Sequence, residues 1–167
     1  ELCHDCPKPM IKLLGRPLLE WRIESLPQSV DEVILIVGYL QEQIRAHFGD
    51  EWQGRKITYI TQEVLNGTGG AMMLLRPILT GNVLVTNGDD LYHPIDLQKL
   101  IDETSEGGAV IGMTVDDAEK YGLLEVHNDG SLLAITERPH DRKVGVVNTG
   151  TYIITPHFFD FPLVPIT

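Results

Sequence analysis

The chain has 167 residues, with 24 acidic and 13 basic side chains and a formal net charge of −11. This length suits one domain with its own hydrophobic core. The acidic balance argues against a nucleic-acid partner, which would require basic patches. No apolar run is long enough to span a membrane. We therefore expect no membrane partner, and we expect a cytoplasmic location. The sequence leaves open whether the chain forms a homo-oligomer.

Hydrophobic patterning predicts an alternation of strands and helices. The predicted strands are residues 32–37, 56–61, 83–86, 108–115, 123–126, 132–136 and 144–154. The predicted helices are residues 17–26, 40–48, 71–75 and 95–103, with a short helical segment beginning at Pro156. A turn at 128–130 joins two of the strands into a hairpin. This order predicts an α/β fold with three layers and a mixed, mostly parallel sheet.

Two acidic residues, Asp89 and Asp90, follow a short apolar strand and the turn signal Asn87-Gly88. Ligands of open α/β sheets bind just beyond the carboxyl ends of the strands. Mg²⁺ usually takes one or two protein carboxylates together with substrate phosphates. The pair is therefore a candidate magnesium site, and a polar turn that only ends a strand is the alternative.

Two further segments could bind phosphate or a base. Lys8 lies between two prolines, which restrict its backbone, and its ammonium can pair with phosphate. Gln62 precedes the glycine-rich segment 67–70, which matches neither the dinucleotide fingerprint nor the P-loop. The alternatives are a solvated lysine and a flexible start to a helix.

Polar residues also lie at the ends of the later strands. They include Tyr121-Gly122, Glu137-Arg138 and Asn148. The Glu137 carboxylate could accept from sugar hydroxyls, Arg138 could hold a phosphate, and Asn148 could do either. The only two cysteines occur in Cys3-His4-Asp5-Cys6. Because no second pair is present, this segment is interpreted as loop thiols rather than a zinc or redox site.

Taken in order, these motifs resemble those of the sugar-phosphate nucleotidylyltransferases, also called nucleotide-sugar pyrophosphorylases. The resemblance runs from residues 7–10 to residues 148–152 and so covers nearly the whole chain. It implies a Rossmann-like nucleotidyltransferase domain over residues 1–167. Such a domain joins a nucleoside triphosphate and a sugar 1-phosphate to give a nucleotide-sugar and pyrophosphate, with Mg²⁺ as cofactor.

The resemblance also implies a role for each candidate residue. Lys8 falls on the lysine that contacts the phosphates, and Asp89 on the magnesium-binding aspartate. The implied nucleotide-binding residues are Gln62, Gly67, Thr68 and Gly88. The implied sugar-phosphate-binding residues are Gly122, Glu137, Arg138 and Asn148.

Two parts of the family pattern have no counterpart in these 167 residues. They are the glycine-rich loop of the first strand and a second metal-binding aspartate. The resemblance therefore implies a fragment of a longer enzyme that turns over poorly alone. A non-catalytic nucleotide-sugar-binding or regulatory domain is an alternative, and so is a glycosyltransferase, although that class uses a spaced D-x-D motif. The nucleotide stays open, because the Gln62 amide can pair with thymine, uracil or guanine by rotating.

Overall fold

The computed structural model describes residues 5–141 and 143–162, which form two compact units. The first unit contains residues 5–82, 88–99 and 156–162, and the second contains residues 83–87, 100–141 and 143–155. Helices and strands alternate along much of the chain, so the predicted α/β class is confirmed. No helix among these residues has both the length and the apolar character to cross a membrane.

The first unit is built from short helices and two small sheets. Its strands are β1 (Lys12–Leu13), β2 (Arg16–Pro17), β3 (Glu32–Val37), β4 (Glu51–Trp52) and β5 (Arg55–Thr61). Its helices include α1 (Leu18–Glu24), α2 (Gln41–Phe48) and α3 (Gly67–Met73), preceded by a 3-10 turn at Lys8–Met10. Strand β5 lies between β3, to which it is parallel, and β4, to which it is antiparallel.

Tight turns join the hairpins of this unit. Leu14 and Gly15 connect β1 to β2, and both have positive φ angles, of 52° and 84°. Two-residue hairpin turns in which both residues have positive φ match the twist of the strands that they join. Gln53 and Gly54 repeat the arrangement between β4 and β5, with φ angles of 50° and 80°.

The core of the first unit lies between α1, α2 and the β3–β5 pair. Leu19 and Ile23 of α1 are one turn apart and are both buried. Ile44 and Phe48 of α2 have the same spacing and are also buried. Residues four apart share one face of a helix, so each helix covers the core with one stripe. The cluster is completed by Val37 and Ile57.

The second unit is a five-stranded antiparallel sheet. Its strands are β6 (Val83–Val85), β7 (Ala109–Val115), β8 (Gly122–Val126), β9 (Leu132–Glu137) and β10 (Gly145–Ile154). The ten-residue strand β10 pairs with β6, β7 and β8, and β9 pairs with β8. Ala118, Leu123 and Val147 form a buried cluster in this unit. Two further helical segments lie outside this sheet. Helix α4 is Pro94–Asp102, and the 3-10 helix Pro156–Asp160 belongs to the first unit.

The prediction of a mostly parallel sheet is wrong for the pairings that the structure describes. Among the strand pairs of residues 5–141 and 143–162, only β3 and β5 are parallel, whereas β10 is antiparallel to its partners β6, β7 and β8. Periodicity identifies strands but does not reveal which strands pair over long sequence distances.

The cysteine segment is only partly described. Cys3 and His4 lie outside the described residues, so their part of the interpretation cannot be compared with the structure. Cys6 is disulfide-bonded, which the interpretation of the segment as loop thiols did not anticipate.

Candidate active site

Lys8 and Asp89 are brought together as an ion pair. Lys8 opens the 3-10 turn, in which the Met10 amide donates to the Pro7 carbonyl at 2.8 Å. Gly88 packs on this turn, because a Cβ at Gly88 would lie only 3.4 Å from Pro9 Cγ. The turn and the Gly88-Asp89 segment therefore lie close together, which is consistent with the pairing of the Asp89 carboxylate with the Lys8 ammonium.

The Lys8 side chain is 77% exposed, whereas that of Asp89 is 21% exposed. The pKa of Lys8 is raised above its ordinary value, first by the hydrogen bond to Asp89 and next by the charge of that carboxylate. Burial opposes this rise in pKa, and the charge of Asp90 adds a smaller contribution in the same direction as Asp89. Lys8 is thus a cation at neutral pH, exposed enough to meet an anionic ligand.

A buried arginine near the acidic pair was not predicted from the sequence. Arg22 in α1 is 2% exposed, and its Nη1 donates to Ser25 Oγ at 2.8 Å. Its guanidinium carbon lies 5.1 Å from the centre of the Tyr92 ring, within range of a cation–π contact. Burial lowers the pKa of Arg22 to about 10, although Tyr92 and Asp90 raise it. The sequence does carry a signal for this burial, because residues 19, 22, 23 and 26 have the spacing of the buried face of a helix.

Gln62 extends the β3–β5 ladder, because its backbone amide donates to the Val37 carbonyl at 2.8 Å. Its side-chain Nε2 donates to Asn66 Oδ1 at 3.0 Å and to the Gly67 carbonyl at 3.3 Å. Gly67, with a φ of 81°, begins α3, and the exposed Thr68 follows it. Three of the predicted nucleotide-binding residues, Gln62, Gly67 and Thr68, therefore lie around the start of α3, and Gln62 contacts Gly67.

Gly122 and Glu137 face each other across the β8–β9 pair. A Cβ at Gly122 would lie 2.8 Å from Glu137 Oε1, so the carboxylate occupies the space that a side chain would need. Arg138 has a φ of 45°, and its amide donates to the Tyr121 carbonyl at 3.0 Å. Three of the predicted sugar-phosphate-binding residues therefore lie together at one end of this hairpin.

Asn148 lies at an irregularity of β10, where the register with β7 shifts between Asn148 and Tyr152. Its Oδ1 accepts from the Gly150 amide at 2.9 Å, and its Nδ2 donates to the Tyr152 hydroxyl. Gly150 has a φ of 76°, and a Cβ there would lie 2.5 Å from Asn87 Nδ2. The Asn148 amide thus shapes the strand itself, a role that the sequence did not predict.

The predicted residues fall into two sets, one in each unit. Lys8, Asp89 and the nucleotide-binding candidates belong to the first unit, and the sugar-phosphate-binding candidates belong to the second. Among residues 5–141 and 143–162, no group of three or more His, Cys, Asp or Glu side chains could hold a metal ion. A metal ion at Asp89 would therefore need ligands other than these side chains, and the phosphate oxygens of a substrate are ligands that Mg²⁺ commonly takes.

Comparison with known proteins identifies the family. The family model described as nucleotidyl transferase matches residues 1–165. The bifunctional protein GlmU of Methanococcus maripaludis is 35% identical over 149 residues, covering 87% of this chain and 34% of that protein. The D-glycero-alpha-D-manno-heptose 1-phosphate guanylyltransferase of Campylobacter jejuni is 35% identical over 166 residues, covering 98% of this chain and 73% of that protein.

A solved structure supports the same grouping. The crystal structure of HddC from Yersinia pseudotuberculosis matches with a TM-score of 0.77 and 29% identity, covering 96% of this chain and 72% of that one. The chain spans about one third of the length of the GlmU proteins that it matches. The resemblance seen in the sequence motifs is confirmed, and the chain belongs to the nucleotidyl transferase family.

Proposed function

We propose that the protein carrying this chain is a sugar-1-phosphate nucleotidylyltransferase. It joins a nucleoside triphosphate to a sugar 1-phosphate and releases pyrophosphate. The observation that carries the proposal is the Lys8–Asp89 ion pair at the Gly88 loop, in a chain of the nucleotidyl transferase family. The names of the relatives support catalysis over binding alone, because they include a guanylyltransferase and a uridylyltransferase.

The proposed reaction joins two anions. An oxygen of the sugar phosphate attacks the α-phosphorus of the triphosphate, and the bond from that phosphorus to the pyrophosphate oxygen breaks. Little proton transfer is required, so the protein contributes positioning and neutralisation of charge. The exposed Lys8 ammonium is the cation suited to this task, and its raised pKa keeps it charged.

Asp89 would hold Mg²⁺ together with the phosphates of the triphosphate. When bound, such a cation neutralises phosphate charge. The Asp89 carboxylate contacts Lys8, so it would hold Mg²⁺ beside the lysine ammonium. Gln62, Gly67, Thr68 and Gly88 are the proposed nucleotide contacts. Gly122, Glu137, Arg138 and Asn148 are the proposed contacts to the sugar phosphate.

Release of pyrophosphate tests the proposal directly. The full-length protein that carries this chain is incubated with Mg²⁺, each common nucleoside triphosphate and a panel of hexose, N-acetylated and heptose 1-phosphates. At least one pair should release pyrophosphate. Lys8→Ala should lower kcat/KM for that pair by about a hundredfold or more, the scale seen when one group that stabilises charge in a transition state is removed.

Lys56→Ala is a matched control. Lys56 is 69% exposed and pairs with Glu32 at 2.8 Å, so it resembles Lys8 in exposure and in having a carboxylate partner. This variant should keep full activity. Activity that survives Lys8→Ala would remove the lysine from the mechanism, and the absence of turnover with every pair would overturn the proposed function.

A further inference from the structure

Arg22 is a charged residue on the buried face of helix α1. Leu19 and Ile23 share this face and belong to the hydrophobic core of the first unit. Arg22 is only 2% exposed. Burial of a guanidinium costs free energy that burial of a leucine would not. An arginine at this position therefore indicates a contact that an apolar side chain could not make.

Ser25, at the end of α1, fixes the direction of the Arg22 side chain. Its Oγ accepts from Arg22 Nη1 at 2.8 Å and donates to the Arg22 carbonyl at 2.8 Å. With Nη1 held in this way, the guanidinium carbon lies over the ring of the half-buried Tyr92, 5.1 Å from its centre. Arginine suits this geometry, because its planar head can donate a hydrogen bond while it contacts an aromatic ring.

Helix α1 lies against the segment 88–92 near both of its ends. Leu19 Cδ1 is 3.8 Å from the place that a Cβ at Gly88 would take, and Arg22 contacts Tyr92. These two residues of α1 are three positions apart and so lie on one face of the helix. The acidic pair lies between the two contacts in the sequence, and all of these residues belong to the first unit. The helix therefore supports the segment on both sides of its carboxylates.

The charges near the segment favour the same arrangement. Asp89 pairs with Lys8. Burial lowers the pKa of Arg22 to about 10, against the charges of Tyr92 and Asp90, which raise it. Arg22 is thus still a cation at neutral pH, and it attracts Asp90 as Lys8 attracts Asp89.

We propose that Arg22 is a positioning residue for Asp89, which it keeps in place by holding the Tyr92 end of the segment 88–92. This inference rests on the proposed function, in which the Asp89 carboxylate holds Mg²⁺ beside Lys8. Arg22 itself is buried and would not touch a substrate. Its loss would let the Tyr92 end of the segment move, and a displacement of about 1 Å at a reacting group can cost about a hundredfold in rate.

The first measurement follows the segment itself and needs no substrate. NMR relaxation of the full-length protein that carries this chain gives the backbone order parameter of residues 89–92. The unmodified protein should give about 0.85, the value of a rigid backbone, and Arg22→Met should lower it below about 0.7, toward the flexible range. Tyr92→Leu should do the same, because it removes the ring. Tyr92→Phe should keep the rigid value, because a phenylalanine ring also attracts a guanidinium.

The second measurement separates turnover from binding. For a substrate pair that releases pyrophosphate, Arg22→Met and Tyr92→Leu should each lower kcat about tenfold or more, because Asp89 is displaced. The KM of the sugar 1-phosphate should change less than about twofold, because its proposed contacts lie in the second unit. Tyr92→Phe should keep kcat.

Two variants control for the loss of an arginine and for the loss of stability. Arg45→Met breaks a similar pair between α2 and β5, since Arg45 lies over the Tyr59 ring, 4.6 Å from its centre. Ile57→Val removes one methylene group from the core of the same unit and so lowers the stability. Both variants should leave kcat and the order parameters of residues 89–92 unchanged.

Unchanged order parameters or an unchanged kcat in Arg22→Met and Tyr92→Leu would overturn the inference and spare the proposed function. An equal fall of kcat in Ile57→Val would have the same meaning, because loss of stability alone would then explain the effect. If Arg22→Met does not fold, Tyr92→Leu decides the test, since it breaks the same contact from the half-buried side. Failure of every substrate pair to release pyrophosphate would overturn the proposed function, and this inference with it.

Discussion

Asp89 and Asp90 are adjacent in the sequence but differ in their surroundings. Asp89 is half-buried and pairs with Lys8, whereas Asp90 is exposed and acts on Lys8 and Arg22 through its charge. Asp89→Asn should therefore lower kcat/KM about a hundredfold or more and remove the dependence on Mg²⁺. Asp90→Asn should lower it by less than about fivefold, since Asp90 is exposed and its charge contributes less to the pKa of Lys8 than Asp89 does.

The measurement is kcat/KM as a function of Mg²⁺ concentration for both variants. The two substitutions have the same size and the same change of charge, so each serves as the control for the other. A larger loss in Asp90→Asn than in Asp89→Asn would reassign the metal ligand to Asp90.

At the scale of single residues, the sequence predicted which residues belong to a site but not the side-chain contacts that position them. Lys8 and Asp89 were singled out separately, as a constrained lysine and as a carboxylate at a strand end, and the family resemblance assigned them to one site. The structure brings them into contact. Arg22 and Asn66 were not singled out. Their contacts, to Tyr92 and to Gln62, depend on side-chain placement, which hydrophobic periodicity does not report.

At the scale of elements, a charge network attaches α1 to its neighbours. Arg16 binds Glu20 at 2.6 Å and also binds Glu24. Glu20 in turn contacts His47 of α2 at 2.7 Å. Gln53, in the turn before β5, donates to Glu24 at 2.7 Å. One arginine therefore links the two helices and a hairpin turn through two carboxylates.

This network makes stability depend on pH. The hydrogen bond from Arg16 lowers the pKa of Glu24. Burial by itself would raise the pKa of Glu20, but hydrogen bonds from Arg16 and His47 outweigh it, and the net pKa is lowered. Groups with a lowered pKa in the folded state stabilise above their ordinary pKa, and this stabilisation is lost as the pH falls through the folded value.

The free energy of unfolding should therefore decline as the pH falls below about 4.5, because the unfolded state then binds more protons. Arg16→Gln should make this decline shallower and lower the stability at neutral pH, as measured by urea unfolding across the pH range. Arg76→Gln, at another exposed arginine, should leave the pH profile unchanged. Identical profiles for Arg16→Gln and the unmodified chain would show that the network does not contribute.

The irregularity in β10 gives a second prediction at this scale. Gly150→Ala forces a side chain into a left-handed conformation, which costs about 1–2 kcal/mol, and pushes its Cβ toward Asn87. The free energy of unfolding should fall by at least that amount in denaturant titration. In Gly107→Ala, a Cβ would meet no atom within 4 Å, so the free energy of unfolding should fall by less than about 0.5 kcal/mol. Equal effects at both positions would show that the irregularity tolerates a side chain.

Most elements were predicted to within one or two residues, because their apolar patterns are strong. The 32–37 strand, for example, is β3 with the same bounds. Strand β4 was missed, since two residues are too short to show any period. The prediction of a mostly parallel sheet was wrong for the described pairings, because β10 is antiparallel to β6 and β7. These strands are far apart in the sequence, and local hydrophobic patterns do not show which distant strands pair.

At the scale of the whole molecule, the net charge of −11 opposes the approach of a triphosphate. Salt screens this repulsion, since the Debye length falls from about 30 Å at 0.01 M to about 8 Å at 0.15 M. The association rate constant of a free triphosphate should therefore rise about two- to fivefold over this range. Proteins that bind phosphate through basic surfaces show the opposite trend.

Stopped-flow binding of the metal-free triphosphate measures this effect. The corresponding uncharged nucleoside is the control, and its rate constant should not depend on salt. A rate constant for the triphosphate that falls as salt is added would mean that local cations, and not the net charge, govern its approach.

The contact between Gly122 and Glu137 restricts how this chain can change during evolution. A side chain at position 122 would collide with the Glu137 carboxylate, 2.8 Å from the new Cβ. Replacement of Glu137 by a smaller residue removes the nearer obstacle and leaves Ile135 Cγ2 at 3.1 Å from the new Cβ, so we expect substitutions at positions 122 and 137 to be epistatic. We expect a lineage that alters this end of the hairpin to change position 137 first and position 122 second, because the reverse order passes through an intermediate in which the two side chains compete for the same space.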